Sequence, residues 1–200
     1  MSRSRWQKRE SIIRFNTFVA SALLIAGCFA GPRDMPRLVA ASREGDAQAI
    51  RRIVKGGCDP NTRYGSLRWT PLMHAISKNQ IASVQALLDS GADVNLTADY
   101  ETEPRTMQRD VSPLMLAAGF GDTPIVELLL RRGADPRPAD GDGNRALDYA
   151  LTGTLYRRTL FGCQDSTVRA LIAAHAPLGI TSDARRWAGF KRCETLALLR

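Results

Sequence analysis

Histidines, cysteines and clustered carboxylates carry most protein chemistry, and in this chain they are few and scattered. The two histidines, His74 and His175, fall in distant segments. The four cysteines, Cys28, Cys58, Cys163 and Cys193, form no C-x-x-C and pair with no histidine at ligand spacing, so no metal site is expected. In "DGDGN", Asp140, Asp142 and Asn144 alternate as at the start of a calcium loop. The closing glutamate is missing, since Tyr149 to Gly153 offers none, and a hairpin turn explains these residues better. There is no G-x-S-x-G, phosphate loop or dinucleotide fingerprint. The sequence therefore points away from an enzyme: no catalytic residue, no cofactor and no small-molecule substrate are expected.

With 44% hydrophobic and 6% aromatic residues, 200 residues can build one domain with a real core. The formal charge of +8 is unevenly spread. Arg3, Arg5, Lys8, Arg9 and Arg14 against Glu10 supply +4 of it before residue 28. No basic helix or Arg-Gly run follows, so nucleic-acid binding is not expected.

The basic stretch from Met1 to Arg14 leads into "FVASALLIAG", Phe18 to Gly27, ten apolar residues ending at Cys28. That is short of the roughly 20 residues needed to cross a bilayer. Cations followed by an apolar run and small residues have the form of an export signal. A buried core helix fits poorly, because Arg14 and Asn16 leave no amphipathic face. Ile25, Ala26, Gly27 and Cys28 resemble the lipobox of bacterial lipoproteins. The resemblance implies a signal peptide over 1–27, acylation of Cys28 as the mature N-terminus, and a short linker over 28–35. Several acyl chains, at about 0.8 kcal/mol per buried methylene, hold a protein stably on a membrane. Cleavage after Ala30 would instead release a soluble exported protein, and retention of the signal would leave an uncleaved anchor. Phe29 stands where an aspartate would favour inner-membrane retention, so the resemblance leans toward the outer membrane of a Gram-negative cell, facing the periplasm.

An internal repeat dominates the rest. "TPLMHAISKNQIASVQALLDSGADVN", beginning at Thr70, is answered by "SPLMLAAGFGDTPIVELLLRRGADPR", beginning at Ser112. "RLVAASREGDAQAIRRIVKGGCDPN" precedes them and "RALDYALTG" with "DSTVRALIAAHAP" follows. Leu38, Leu72, Leu114 and Leu147 are equivalent, at separations of 34, 42 and 33. These phrases resemble the ankyrin repeat, with its T-P-L-H-x-A opening, central Gly, apolar V-x-x-L-L and closing G-A-D. The resemblance implies an all-α solenoid of about four helix-turn-helix repeats (about 36–67, 68–98, 111–141 and 143–177) with projecting β-hairpin loops. A C-terminal cap helix is expected over 178–200, where Trp187, Phe190, Leu196 and Leu199 would cover the last repeat. Thr70 and Ser112 suit N-caps, with Pro71 and Pro113 at the first helical position, where a missing N–H is harmless. Gly45 and Gly121 should end the first helices, and Gly57, Gly91 and Gly133 the second. Met73 stands where the family has its histidine, so the family's histidine-to-hairpin hydrogen bond is not expected in repeat two.

Shared features fold the stack, so a particular function must lie where the copies differ. "TADYETEPRTMQRDV", Thr97 to Val111, lengthens one connection by about nine residues, and in the family this connection is a hairpin beside the binding face. Tyr100, Arg105, Met107 and Arg109 are its contact candidates; a polar loop without a partner is the alternative. "RYGSLRW" adds Arg63, Tyr64, Arg68 and Trp69 on the preceding hairpin, aromatic and arginine residues being energetically prominent at interfaces. Trp69 fits equally well packed under its own hairpin. Ser77, Lys78, Gly119 and Phe120 end the inner helices, positions that line the family's concave surface. The loop Thr152 to Asp165 lies on the other side and suits local packing. Cys58 fits as a small buried residue, and Cys163 with Cys193 could form a disulfide in an oxidising compartment.

These readings converge on a monomeric, membrane-anchored module that binds a protein partner through its concave face and hairpin loops. Two narrower roles remain open: immunity to a toxin delivered to the periplasm, and an envelope or stress-defence accessory to an enzyme.

Overall fold

The computed structural model describes residues 37–102, 106–152 and 165–177. The proposed signal and linker, the loop around Cys163 and the cap over 178–200 lie outside the described residues. Four helix pairs follow one another: α1 (Arg37–Glu44) with α2 (Ala47–Lys55), α3 (Pro71–Ser77) with α4 (Ile81–Asp89), α5 (Pro113–Phe120) with α6 (Thr123–Arg131), and α7 (Ala146–Thr152) with α8 (Asp165–Ala173). Between α4 and α5 runs one antiparallel hairpin, β1 (Ala98–Thr102) and β2 (Thr106–Val111). This is the expected all-α solenoid with a projecting hairpin.

Each pair starts and stops for local reasons. The Thr70 hydroxyl accepts from the Met73 N–H at 3.3 Å and the Ser112 hydroxyl from the Met115 N–H at 3.2 Å, while Pro71 and Pro113 occupy first-turn positions. The inner helices end in a left-handed residue, Gly45 at φ 87° and Gly121 at φ 73°. Repeat two puts Asn79 there at φ 54°, which asparagine tolerates because its short amide bonds locally.

No single pair can bury its apolar stripe alone, so neighbours stack. The inner helices α1, α3, α5 and α7 pack in one row and the outer helices α2, α4, α6 and α8 in another. Leu38, Ile50, Leu72, Ile76, Leu87, Leu114, Ile125, Leu129, Leu147 and Leu171 share one continuous core and are essentially inaccessible. Arg52 is exposed at the place where Ala86 and Leu128, in repeats two and three, are buried. Charge at that place gives repeat one a polar outer flank, as an end repeat requires.

An asparagine ladder joins the turns. The Asn61 side chain donates to the Gly91 carbonyl at 3.2 Å and accepts from the Asp93 N–H at 2.7 Å. Asn95 repeats both bonds one step on, to Gly133 at 3.2 Å and from Asp135 at 2.8 Å. Arg137 takes the next place and folds back on Asp135 at 2.8 Å. That contact, chiefly the side-chain hydrogen bond, lowers the Asp135 carboxyl to about 2.

Candidate partner-binding face

The C-terminal ends of the inner helices form one side of the molecule. Arg43 and Glu44 close α1, Ser77 and Lys78 close α3, and Gly119 and Phe120 close α5. By repeat equivalence Glu44, Lys78 and Phe120 stand in one row and Arg43, Ser77 and Gly119 in the next. Lys78 is exposed, Arg43 and Phe120 are half-buried, and Gly119 is buried.

His74, on α3, lies between these cations and the preceding turn. Its ring meets that of Trp69 with centroids 5.3 Å apart and planes tilted by 58°. Burial lowers its pKa from 6.5 to about 4, and Arg43 and Lys78 add to the effect. The imidazole is therefore neutral at ordinary pH.

The turn before α3 is a small hairpin. Tyr64 and Trp69 exchange main-chain hydrogen bonds at 2.8 and 3.0 Å, with exposed Arg68 at φ 53° in the turn. Arg63 and Tyr64 are half-buried, as is Trp69, which packs on the core. The Trp69 Nε1–H donates to the Asp99 carbonyl at 2.8 Å, fastening this turn to β1. Packing and hydrogen bonding thus give Trp69 a structural role as an anchor, while part of its ring stays exposed.

In β1 and β2 Ala98 pairs with Val111 and Tyr100 with Gln108, so Arg109 and Asp110 both lie opposite Asp99. Asp110 sits at φ 58° in this bulge, and both bulge residues are exposed. A bulge bends and twists its strand. On the other side, the Gly141 N–H donates to the Arg109 carbonyl at 2.9 Å. A Cβ at Gly141 would stand 3.2 Å from the Cβ of Arg109, so glycine permits the close approach. The inserted hairpin is held at its base from both neighbouring turns. Tyr100 and Met107 lie on its strands, while Arg105 lies outside the described residues.

Paired and unpaired cations occur on both sides of the molecule, and on the outer helices Arg51, Arg52, Lys55 and Arg169 form no ion pair among the described residues. The ion pairs Glu127–Arg131, Asp89–Arg132 and Asp135–Arg137 lie on the outer helices and the turn that follows them. Among the described residues, Arg43, Arg63, Arg68, Lys78 and Arg109 have no ion pair.

The remaining candidates for chemistry are scaffold. The Asp140 carboxylate accepts from the N–H groups of Asp142 and Asn144 at 2.9 and 2.8 Å and from the Tyr149 hydroxyl at 2.7 Å, closing a hairpin turn. His175 takes the left-handed place of a terminal glycine at φ 54°. Among the described residues no group of His, Cys, Asp or Glu is arranged to hold a metal ion.

Cys58 is buried, as expected of a small core residue, but its sulfur is disulfide-bonded rather than a free thiol. Its partner lies outside the described residues, where Cys28, Cys163 and Cys193 also lie. A bond to Cys28 uses the sulfur that acylation needs, and a bond to either of the others breaks up a Cys163–Cys193 pair. Acylation of Cys28 and a Cys163–Cys193 bridge therefore cannot both accompany the Cys58 disulfide within one chain.

Two features of this face escaped the sequence reading. Arg43 stands at the place of Ser77 and Gly119, both singled out, so repeat alignment alone could have found it. The Trp69–Asp99 bond joins residues 30 apart, and no local sequence signal marks it.

Family models described as ankyrin repeats match residues 14–98 (three copies) and 72–130 (many copies), together more than half of the chain. The first match begins inside the segment that has the form of an export signal. Similar proteins include the "Ankyrin repeat and KH domain-containing protein mask-1" of Caenorhabditis elegans, 30% identical over 135 residues, covering 66% of this chain and 5% of that protein. The "Palmitoyltransferase AKR1" of Kluyveromyces lactis is 30% identical over 124 residues, covering 58% of this chain and 15% of that protein. The "Mitochondrial disaggregase" of Bos taurus is 28% identical over 147 residues, covering 60% and 22%. The chain thus spans at most 22% of the length of these relatives.

Proposed function

The chain belongs to the ankyrin repeat family, and from that premise we propose that it is a non-enzymatic module that binds a protein partner across its inner-helix face and inserted hairpin. The observation that carries this reading is the inserted hairpin, held at its base by Trp69 and Gly141 beside the ends of the inner helices. Beside it stand five cations on the helix ends and hairpins, Arg43, Arg63, Arg68, Lys78 and Arg109, that form no ion pair among the described residues. A partner meeting this face would find it preformed, because Trp69 and Gly141 already hold the hairpin. Affinity is then not reduced by ordering a loop.

The module works in the cell envelope of a Gram-negative bacterium, on the periplasmic side, tethered by acylated Cys28, with the outer membrane favoured by Phe29. The lipobox-like Ile25 to Cys28 supports the tether, and the Cys58 disulfide supports an oxidising compartment. In the acylated protein, Cys58 is then bonded to Cys163 or Cys193.

Affinity purification from envelopes, with residues 98–110 present or deleted, tests the binding face. Loss of a stoichiometric partner on deletion is the expected result, and identical partner sets would remove the hairpin from the reading. Mass spectrometry of the mature N-terminal peptide tests the tether. Acyl mass on Cys28 is expected, whereas a Cys28–Cys58 linked peptide ends the lipoprotein reading.

A further inference from the structure

We propose that the exposed cationic face of α2, formed by Arg51, Arg52 and Lys55, is a membrane-contact surface that lies on anionic phospholipid headgroups beside the anchor. This goes beyond the partner-binding reading and rests on the Cys28 tether for its orientation.

Among the four outer helices α2 alone carries cations and no acid. The only charge of α4 is Asp89, α6 carries Glu127 with Arg131, and α8 carries Asp165 with Arg169. The cations of α2 also share one face. Gln48, Arg51, Arg52 and Lys55 are all the exposed residues of this helix, and its 3.6 residues per turn put them within an arc of about 100°. Ile50 is buried, and Ala47, Ala49, Ile53 and Val54 are half-buried against the core. Arg51 and Lys55 stand four apart, a spacing at which like charges on a helix repel. None of the three cations forms an ion pair among the described residues. The acids that flank the helix, Asp46 and Asp59, instead accept from the Ala49 and Asn61 N–H groups at 2.8 and 2.9 Å. Arg52 and Lys55 complement the C-terminal end of the helix dipole, but Arg51 lies before the last turn and gains nothing there. An end repeat needs polarity on its outer flank, not a single sign of charge.

Position supplies the occupant. Arg37 is nine residues from Cys28, so even a fully extended connection keeps the start of α1 within about 30 Å of the acylated end. α2 packs directly on α1, and each further repeat stands roughly 10 Å farther along the stack. One basic residue near an anionic lipid surface contributes about 1 kcal/mol, or about fivefold in partitioning. Three cations together then act on the order of 100-fold, enough to choose which side of a tethered protein meets the bilayer. The inner helices pack in a separate row, so contact through α2 leaves the partner-binding face open.

The test uses the mature chain reconstituted into vesicles of phosphatidylcholine alone, or of two parts phosphatidylcholine to one part phosphatidylglycerol. Acetylation of Lys55 by an N-hydroxysuccinimide ester is followed by mass spectrometry, with Lys78 as internal reference. Phosphatidylglycerol is expected to slow Lys55 at least about threefold relative to Lys78, and about 0.5 M salt should remove the effect. Arg51→Gln with Arg52→Gln should restore most of the rate, whereas the same charge loss on the other outer helices, Arg131→Gln with Arg169→Gln, should not. Should the α2 variant lose its thermal transition, Arg51→Gln alone replaces it, with partial restoration expected. Equal Lys55 rates in the two vesicles, protection that survives salt, or protection unmoved by the α2 variants overturns the proposal. Equal protection by a short DNA duplex added to phosphatidylcholine vesicles also overturns it, and makes α2 a nucleic-acid site instead. If Cys28 carries acyl mass while Lys55 is unprotected, the tether stands and the contact falls. If Cys28 carries none, the mature chain is sedimented with the same vesicles. Binding to phosphatidylglycerol that drops in the α2 variant then keeps the contact and removes the tether, and no binding removes both.

Discussion

The indole N–H of Trp69 meets the main-chain oxygen of Asp99 at 2.8 Å, joining the turn before repeat two to the inserted hairpin after it. The Trp69 side chain is thus a peg that helps set where the hairpin stands. Trp69→Phe keeps an aromatic ring beside His74 but removes the donor, together with part of the ring surface that packs on the core. One neutral hydrogen bond contributes about 1 kcal/mol. Amide exchange across residues 98–111 should accelerate severalfold, with the global urea midpoint nearly unchanged. Unaltered exchange in the hairpin would show that the bond holds nothing.

The asparagine ladder gives a second measurable link. Asn95→Ala removes two inter-repeat bonds at once, to Gly133 and from Asp135, and should destabilise by about 1–2 kcal/mol in urea unfolding. Asn61→Ala should cost a similar amount at the first junction. A substitution that leaves the midpoint in place would mean that water replaces the ladder without loss.

His74 makes stability depend on pH. In the folded chain burial, with Arg43 and Lys78, keeps it neutral down to about 4, whereas unfolded it takes a proton near 6.5. Between these values the unfolded state binds more protons, so stability falls as pH drops from about 6.5 to about 4. The loss between pH 7.5 and 4.5 should be about 2 kcal/mol after allowance for the half-exposed ring. Asp135, lowered to about 2, keeps its charge over this range. Urea titrations of the parent and His74→Gln should differ in their pH slope; parallel curves would contradict the assignment.

Ser83 is fully buried on α4 and its hydroxyl has no hydrogen-bond partner among the described residues. Ser83→Ala removes the stranded hydroxyl and suits a helix better, so the urea midpoint should rise, by about 1 kcal/mol. The opposite is expected one turn away. Leu87→Ala opens a cavity in the shared core and should destabilise by about 2–5 kcal/mol. Thermal melts of the two variants that move in the same direction would contradict the packing described.

By itself the sequence determined the architecture. Repeated leucines, Thr70 and Ser112 before prolines, and glycines at the turns act over three or four residues, so their consequences are written locally and then copied. Asn61 and Asn95 and the departure at Arg137 are legible for the same reason, because each position has counterparts to compare. Only the tertiary structure decided how the inner-helix side and its hairpins are held together. It set Trp69 against His74 and bonded its indole to the Asp99 carbonyl, filled the Asp140 carboxylate with donors and bonded Cys58. Those outcomes depend on how far one helix is rotated and displaced against the next. That is fixed by packing across whole repeats, a quantity that no short stretch of residues contains.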